Sequence, residues 1–320
     1  MNRTDFDDVS AALTETAARS NLTELPIPYR QLVFNARRPG RFSLLLFLHG
    51  AGERGDDNER TKLNGVGKIT AYILERGLKV VMLIPQCPKE RQWVDVPWNA
   101  AAHRMPPEPS KPLRAAMALI DAKAAEFAVD PAQIRVCGIS MGGYGTWDLI
   151  CRRPQFFAAA FAVCGGADEA EAPKLKDMNI VVYHGALDPT VPVERSRNMV
   201  AALRKAGGDR VFYVELPEIR HNSWEQAFGD SAAMDKTTSE ITKCRKSSTD
   251  DPTTSRIETF TSSTKTMDRT TYNFTCTTQE TTCCVSYDAL SSHKRSHAHI
   301  HLFTVSKVSL EISMESGFRS

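Results

Sequence analysis

Ser140 has the sequence context that most directly indicates covalent chemistry. It lies in Gly138-Ile139-Ser140-Met141-Gly142, a Gly-x-Ser-x-Gly motif between an apolar run and a stretch with helical character. A serine on a sharp strand-to-helix turn has its hydroxyl accessible to a ligand. The N-terminus of the following helix faces any oxyanion formed there. The two glycines lack Cβ atoms, which lets strand and helix approach closely. The motif therefore predicts a nucleophilic serine.

A serine nucleophile needs a base within hydrogen-bond reach and a carboxylate that orients the base. Where the nucleophile lies on a sharp turn between a strand and a helix, the order along the chain is serine, acid, histidine. Asp188 stands 48 residues after Ser140, and His221 follows 33 residues later, each just beyond an apolar run. We expect His221 to be the base and Asp188 the orienting acid. Asp168, beyond the preceding apolar run, is the alternative acid.

Three other histidines fit the role of base less well. His49 precedes a glycine-rich loop, and we expect it to shape that loop through hydrogen bonds to the backbone. His184 follows an apolar run but stands before the acid, which favours a structural role. His103 lies in a long loop, where a solvated histidine is favoured over one that contacts a ligand.

Stabilising an oxyanion requires two preorganised donors. The N–H of Met141, directly after the nucleophile, is one candidate, and the N–H of Ala51 in the glycine-rich loop is the other. The alternative for that loop is a tight turn without a donor role. Four aromatic residues lie near these positions or on loops at the same edge, and they serve equally well as substrate contacts or as packing: Trp93, Trp98, Tyr144 and Trp224.

Strands and helices alternate along the chain in a rhythm that predicts an α/β fold with a mostly parallel, doubly wound sheet and helices on both faces. Such a sheet places its active site at the carboxyl ends of the strands, where the candidates above stand. The strands are expected at residues 29–34 (an edge strand), 42–48, 79–84, 134–137, 156–163, 179–183 and 211–216. The helices are expected at residues 62–76, 113–127 and 193–205, with another directly after Ser140.

Composition divides the chain into three parts. Residues 1–21 are predicted to form a polar arm, and residues 22–235 a catalytic domain. From residue 231 onward only one proline, Pro252, and one glycine, Gly317, occur, and serine and threonine are abundant. Such a composition buries too little apolar surface to offset chain entropy. Residues 236–320 are therefore predicted to be a disordered tail, or non-native sequence of the kind a frameshift produces.

The overall charge and the cysteines limit the classes of function. A net charge of +2 with no basic stripe argues against nucleic acid as a partner. No apolar run reaches the roughly 18 residues that a membrane span needs. The eight cysteines lack the spacing of a disulfide framework or a metal site. We expect a cytoplasmic protein; a start site that hides an export signal is the alternative. The oligomeric state is not specified by the sequence.

The motif Leu46-Phe47-Leu48-His49-Gly50-Ala51-Gly52-Glu53-Arg54-Gly55, taken with the Ser140 motif and Asp188, resembles a known group. It is similar to the phospholipase/carboxylesterase and dienelactone-hydrolase-like branch of the α/β-hydrolase superfamily. The nearest likeness is to predicted peptidases and to feruloyl-esterase or polyhydroxybutyrate-depolymerase-like esterases. The resemblance covers about residues 25–230. It implies an α/β-hydrolase fold and a serine hydrolase without metal or cofactor, acting on a small-molecule or carbohydrate-linked ester.

Two alternatives stay open beside the esterase. A serine peptidase uses the same triad. A non-catalytic or damaged hydrolase-fold protein is the other, because the resemblance implies a full amphipathic helix after the His221 loop. Residues 223–233 give only the beginning of such a helix.

Overall fold

The seven predicted strands and one further strand pair into one eight-stranded sheet in the computed structural model. The structure describes residues 12–238 and, beyond them, the backbone of three more strands. The strand order is β1-β2-β4-β3-β5-β6-β7-β8. Strands β3 to β8 run parallel, and β1 and β2 pair antiparallel. The strands are β1 (Leu13–Ser20), β2 (Ile27–Phe34), β3 (Ser43–Leu48), β4 (Val80–Pro85), β5 (Ile134–Ile139), β6 (Ala159–Val163), β7 (Asn179–Gly185) and β8 (Val211–Leu216).

Helices cover both faces of the sheet, as the sequence predicts. They are α1 (Val66–Glu75), α2 (Lys111–Glu126), α3 (Met141–Arg152), α4 (Glu194–Lys205), α5 (Trp224–Ala227) and α6 (Ser231–Thr238). Helices α2, α3 and α4 contribute to one buried cluster, and α1 and α6 to the other. Successive strand residues alternate between the two, so that Leu46 packs in the first and Phe47 in the second. No helix within residues 12–238 is long and apolar enough to cross a membrane.

The stretch predicted to be a polar arm contains the edge strand β1. It pairs with β2 along its whole length, from Leu13 opposite Phe34 to Ser20 opposite Ile27. Most of its side chains are exposed, so the strand is held by backbone hydrogen bonds. The hydropathy pattern of these residues therefore does not predict a strand. The sequence predicts β2 as an edge strand, and this prediction is wrong, because β1 pairs with β2 and forms the edge.

Helix α6 extends the ordered chain beyond what the residue pattern indicates. Ala233 and Met234 are buried against the sheet, and the Tyr72 hydroxyl donates to Asp235 at 2.6 Å. Arg135 donates to the carbonyl oxygen of Thr237. The predicted boundary at residue 235 therefore falls inside this helix.

Residues Lys243–Ser320 form a second unit. Strands β9 (Thr264–Thr266), β10 (Arg269–Thr277) and β11 (Thr282–Leu290) make an antiparallel sheet in the order β11-β10-β9. The rest of this unit lies outside the described residues. Its predicted disorder or non-native origin stays a prediction.

The turn between β5 and α3 depends on the two glycines of the Ser140 motif. A Cβ atom on Gly142 would overlap the carbonyl oxygen of Leu48, at the end of β3. A Cβ atom on Gly138 would overlap the carbonyl oxygen of Gly142. These are backbone atoms, which cannot rotate away as the end of a side chain can. The predicted close approach of strand and helix is confirmed.

We predict that Gly142→Ala lowers the free energy of unfolding by at least about 2 kcal/mol, because the new methyl group displaces backbone in a packed interior. Gly67→Ala is the matched control. Gly67 lies on an exposed side of α1 with open space where its Cβ would be, so alanine there stabilises by up to about 1 kcal/mol. Chemical denaturation of both variants measures the difference. Equal stability of the two would contradict the packing described.

Candidate active site

Ser140 occupies a strained turn at the carboxyl edge of the sheet. Its φ and ψ are 52° and −117°, in a region that residues other than glycine rarely adopt. Its backbone N–H donates to Val163 of the neighbouring strand at 2.9 Å, and its carbonyl accepts from Tyr144 N–H at 3.1 Å. The turn is thus fixed to both β6 and the first turn of α3.

The predicted base and acid lie in hydrogen-bonded order beside this serine. Ser140 Oγ is 2.8 Å from His221 Nε2, and His221 Nδ1 is 2.7 Å from Asp188 Oδ2. An ionised carboxylate only accepts, so the imidazole proton belongs on Nδ1 and the hydroxyl donates to Nε2. This arrangement lets His221 accept the serine proton.

Asp188 is held by four donors. Its Oδ1 accepts from the N–H groups of Thr190 and Val191 at 2.8 and 3.0 Å, and its Oδ2 faces His221 and His184. Burial alone raises the pKa of this carboxyl, but hydrogen bonds from the two histidines and the two backbone groups outweigh it and hold the pKa well below its usual range. The acid is therefore ionised at neutral pH.

His184 is a second histidine on this acid. The ring is fully buried, with Nε2 3.3 Å from Asp188 Oδ2 and 3.0 Å from the carbonyl oxygen of Val191. Its Nδ1 lies 2.7 Å from Ser196 Oγ. Because the Val191 carbonyl only accepts, Nε2 carries the proton and the Ser196 hydroxyl donates to Nδ1. The structural role expected of His184 thus includes a contact with the acid that sequence order did not indicate.

The two candidate oxyanion donors begin helical turns next to Ser140. Ala51 is the first residue of the 3₁₀ turn Ala51–Glu53, and Met141 is the first residue of α3. The first N–H groups of a helical turn have no acceptor within the turn. A Cβ atom built on Gly50 would lie 3.7 Å from Ser140 Cβ, so this loop adjoins Ser140. The placement fits two donors on one oxyanion.

His49 shapes this loop from within the core, in line with the sequence prediction. Its Nδ1 is 2.6 Å from the carbonyl oxygen of Gly50, and its Nε2 accepts from Cys87 N–H at 3.0 Å. Burial, with a smaller effect from the charge of Arg54, lowers the pKa of His49 to about 4. The Trp93 indole donates to the His49 carbonyl oxygen at 3.1 Å and is 0% exposed. Trp93 therefore belongs to the core, and its substrate contact stays a prediction.

The other three aromatic candidates differ in exposure. Tyr144 is buried, donates to the carbonyl oxygen of Trp98 at 2.9 Å, and has its pKa raised to about 12 by burial. Trp224 is partly exposed, with its ring edge-on to His221 at 5.5 Å. Trp98 is also partly exposed, beneath the guanidinium of Arg54. Trp98 and Trp224 therefore remain candidates for substrate contact.

One group of potential metal ligands overlaps the triad. Ligand atoms of Cys164, Asp188 and His221 all lie within 4.8 Å of one another. Burial raises the pKa of the Cys164 thiol to about 12. Asp188 and His221 are already bonded to each other. The hydrogen bonds that these residues form belong to the series from Ser140 through His221 to Asp188.

The alternative acid, Asp168, lies outside this arrangement. Its carboxylate caps the backbone of Ala170 at 3.1 Å and accepts from Met105 N–H at 3.0 Å and from Arg104. Its hydrogen bonds hold the loop that contains Met105, and no described contact joins it to His221.

Comparison with known proteins identifies the family of the chain. Residues 32–237 match the phospholipase/carboxylesterase family. The chain belongs to that family. No curated protein matches the sequence. Membership and the sheet topology together establish the α/β-hydrolase fold implied by the resemblance.

Solved structures extend the comparison. A thermostable esterase is 34% identical with a TM-score of 0.61, over 70% of this chain and 62% of its own length. The chain thus spans about three-fifths of that esterase. A ferulic acid esterase is 16% identical, with a TM-score of 0.52, over 70% of this chain and 97% of its own. An acylaminoacyl peptidase from Pyrococcus horikoshii is 12% identical, with a TM-score of 0.52, over 71% and 42%. The last two share the fold.

We predict that stability falls as the pH drops from about 6.5 to 4, partly because of His49. The unfolded chain binds a proton on this histidine at pH 5 and the folded chain does not, so acid favours unfolding. Full stability is present above the ordinary histidine pKa. A lowering from 6.5 to about 4 corresponds to at most about 3 kcal/mol.

Denaturant titrations between pH 7 and 4.5 test this effect, with His49→Gln as the variant. We expect a shallower pH dependence in His49→Gln, whatever its absolute stability. His103 has a lowered pKa in the same window and is retained in the variant. An identical pH dependence in the two proteins would refute the role given to His49.

Proposed function

We propose that this chain hydrolyses carboxylic esters through an acyl intermediate on Ser140. The hydrogen-bonded series from Ser140 Oγ through His221 to Asp188 carries the proposal. Family membership and the 34% identical esterase support hydrolysis of an ester. A small-molecule or carbohydrate-linked ester is the substrate class we infer, with Trp98 and Trp224 as contacts.

Acylation begins when Ser140 Oγ attacks the ester carbonyl carbon and His221 Nε2 takes the hydroxyl proton. The carbonyl oxygen becomes an oxyanion, which accepts from the N–H groups of Met141 and Ala51. When this intermediate collapses, the bond to the alcohol oxygen breaks and His221 returns the proton to that oxygen. Asp188 stays ionised throughout and stabilises the imidazolium.

Deacylation repeats the sequence with water. His221 removes a proton as the water oxygen attacks the acyl carbon, and the second oxyanion uses the same two donors. Collapse breaks the bond to Ser140 Oγ, which recovers its proton from His221. A carboxylic acid leaves, and the site returns to its starting protonation state.

The alternatives have less support. The acylaminoacyl peptidase shares the fold only, and no contact of the described residues favours an amide over an ester. A non-catalytic protein has no need of a strained Ser140 with an aligned base. The non-catalytic alternative rests on a missing helix after the His221 loop. Helix α6 follows that loop, and its Ala233 and Met234 are buried against the sheet.

We predict that Ser140→Ala lowers kcat for 4-nitrophenyl butyrate by about 10⁴-fold or more, because the acyl intermediate cannot form. Asp188→Asn is expected to cost about 10⁴-fold through the wrong imidazole tautomer. Ser43→Ala, at the amino end of β3, is the matched control and should keep the wild-type rate. Turnover that survives Ser140→Ala would exclude the proposal.

A further inference from the structure

Arg195 is a buried cation without a carboxylate partner among residues 12–238. It lies in the first turn of α4 and is 1% exposed. Its Nη2 donates to the carbonyl oxygen of Ala167 at 2.9 Å and to Nδ1 of His103. Its Nε and Nη1 form no hydrogen bond of normal geometry within residues 12–238, although Arg195 is close enough to the Tyr144 hydroxyl to act on its pKa. A buried charge with unpaired donors is unfavourable, and its retention calls for an explanation.

The contact with Arg195 fixes the tautomer of His103. A guanidinium has only donors, so His103 Nδ1 must accept and the ring proton must be on Nε2. Burial, reinforced by the charge of Arg195, lowers the pKa of His103 to about 4, so the ring is neutral at pH 7. The ring is only half-buried, and its Nε2–H has no acceptor among the described residues. His103 therefore presents a hydrogen-bond donor with a positive charge behind it.

This pair is attached to the elements that hold Ser140. The Tyr144 ring, one turn after Ser140 in α3, lies 5.7 Å from the Arg195 guanidinium and 5.8 Å from the His103 ring. Gly166, shortly after β6, packs so closely on Arg195 Nε that a Cβ there would displace it. The donor thus stands at the same edge of the sheet as the nucleophile.

We propose that His103 and Arg195 form a subsite for a carboxylate on the ester substrate. His103 Nε2–H donates to the carboxylate, and Arg195 supplies the charge that favours an anion over a neutral acceptor. The inference rests on the proposed function, because it names the substrate class of the same site.

The surrounding charges are compatible with an anion. Arg104 is 82% exposed and carries a second cation into the same loop. Asp168 is the nearby carboxylate, and its oxygens already accept from Arg104, Met105 N–H and Ala170 N–H. The charge of Asp168 also acts on His103, but less strongly than that of Arg195, which forms no ion pair within residues 12–238.

Matched substrates test the subsite in the full chain. Mono(4-nitrophenyl) adipate carries a free carboxylate on its acyl chain, and methyl 4-nitrophenyl adipate has the same chain without the charge. A second pair, the hexanoate of 4-hydroxybenzoate and that of its methyl ester, puts the carboxylate on the alcohol. In one pair we expect kcat/KM to be about tenfold higher for the charged member.

Two variants assign that preference to His103. His103→Phe removes the donor and should abolish the preference, measured as the ratio of kcat/KM between the charged and neutral members of a pair. His103→Gln should retain much of it, since the amide oxygen accepts from Arg195 and the amide nitrogen still donates. Side-chain ¹⁵N shifts should show His103 protonated at Nε2 at pH 7. No preference in either pair, or an equal preference in His103→Phe, would overturn the subsite.

Binding to Ser140→Ala separates the subsite from the proposed chemistry. Calorimetry should give about tenfold tighter binding of the charged member of the preferred pair, and His103→Phe added to this variant should remove the difference. Ser140-dependent turnover without charge preference refutes the subsite alone. A binding preference without Ser140-dependent turnover refutes the proposed function alone.

Discussion

The absence of side chains at Gly138 and Gly142 is the constraint on which the rest of the site depends. The first turn of α3 lies against the end of β3 with no room for a methyl group. That close approach brings the loop of Gly50 and Ala51 beside Ser140, which itself holds a left-handed φ. The strain at one residue is offset by packing around it, so the Ser140 backbone is fixed by the fold itself.

The parallel sheet brings residues that are distant in the sequence together at one edge. Parallel strands end at a common edge, so residues 81 positions apart meet, as Ser140 and His221 do at 2.8 Å. Buried polar groups next to these residues hold the carboxylate of Asp188 and the loop beside Ser140 in place. His184 and the backbone of Thr190 and Val191 orient Asp188, and His49 holds the loop near Ser140.

Residue patterns anticipate the parts of this fold that depend on local sequence. The continuous apolar runs predict the central strands, and the serine, acid, histidine order predicts which side chains meet. The residue pattern does not predict strand β1, because backbone hydrogen bonds and not buried side chains join it to the sheet. The burial of Trp93 has no signal in the sequence, because residue order does not show which way a loop indole points. The contacts of His184 with Asp188 and of His103 with Arg195 are tertiary, so spacing alone carries no signal for them.

Covalent labelling most directly tests whether His221 activates Ser140. A fluorophosphonate probe reacts with a serine whose hydroxyl is activated by a base. Peptide mass spectrometry of the full chain should place the adduct on Ser140, and His221→Ala should slow labelling by at least about 10³-fold. An adduct on another residue, or an unchanged labelling rate in His221→Ala, would contradict the account.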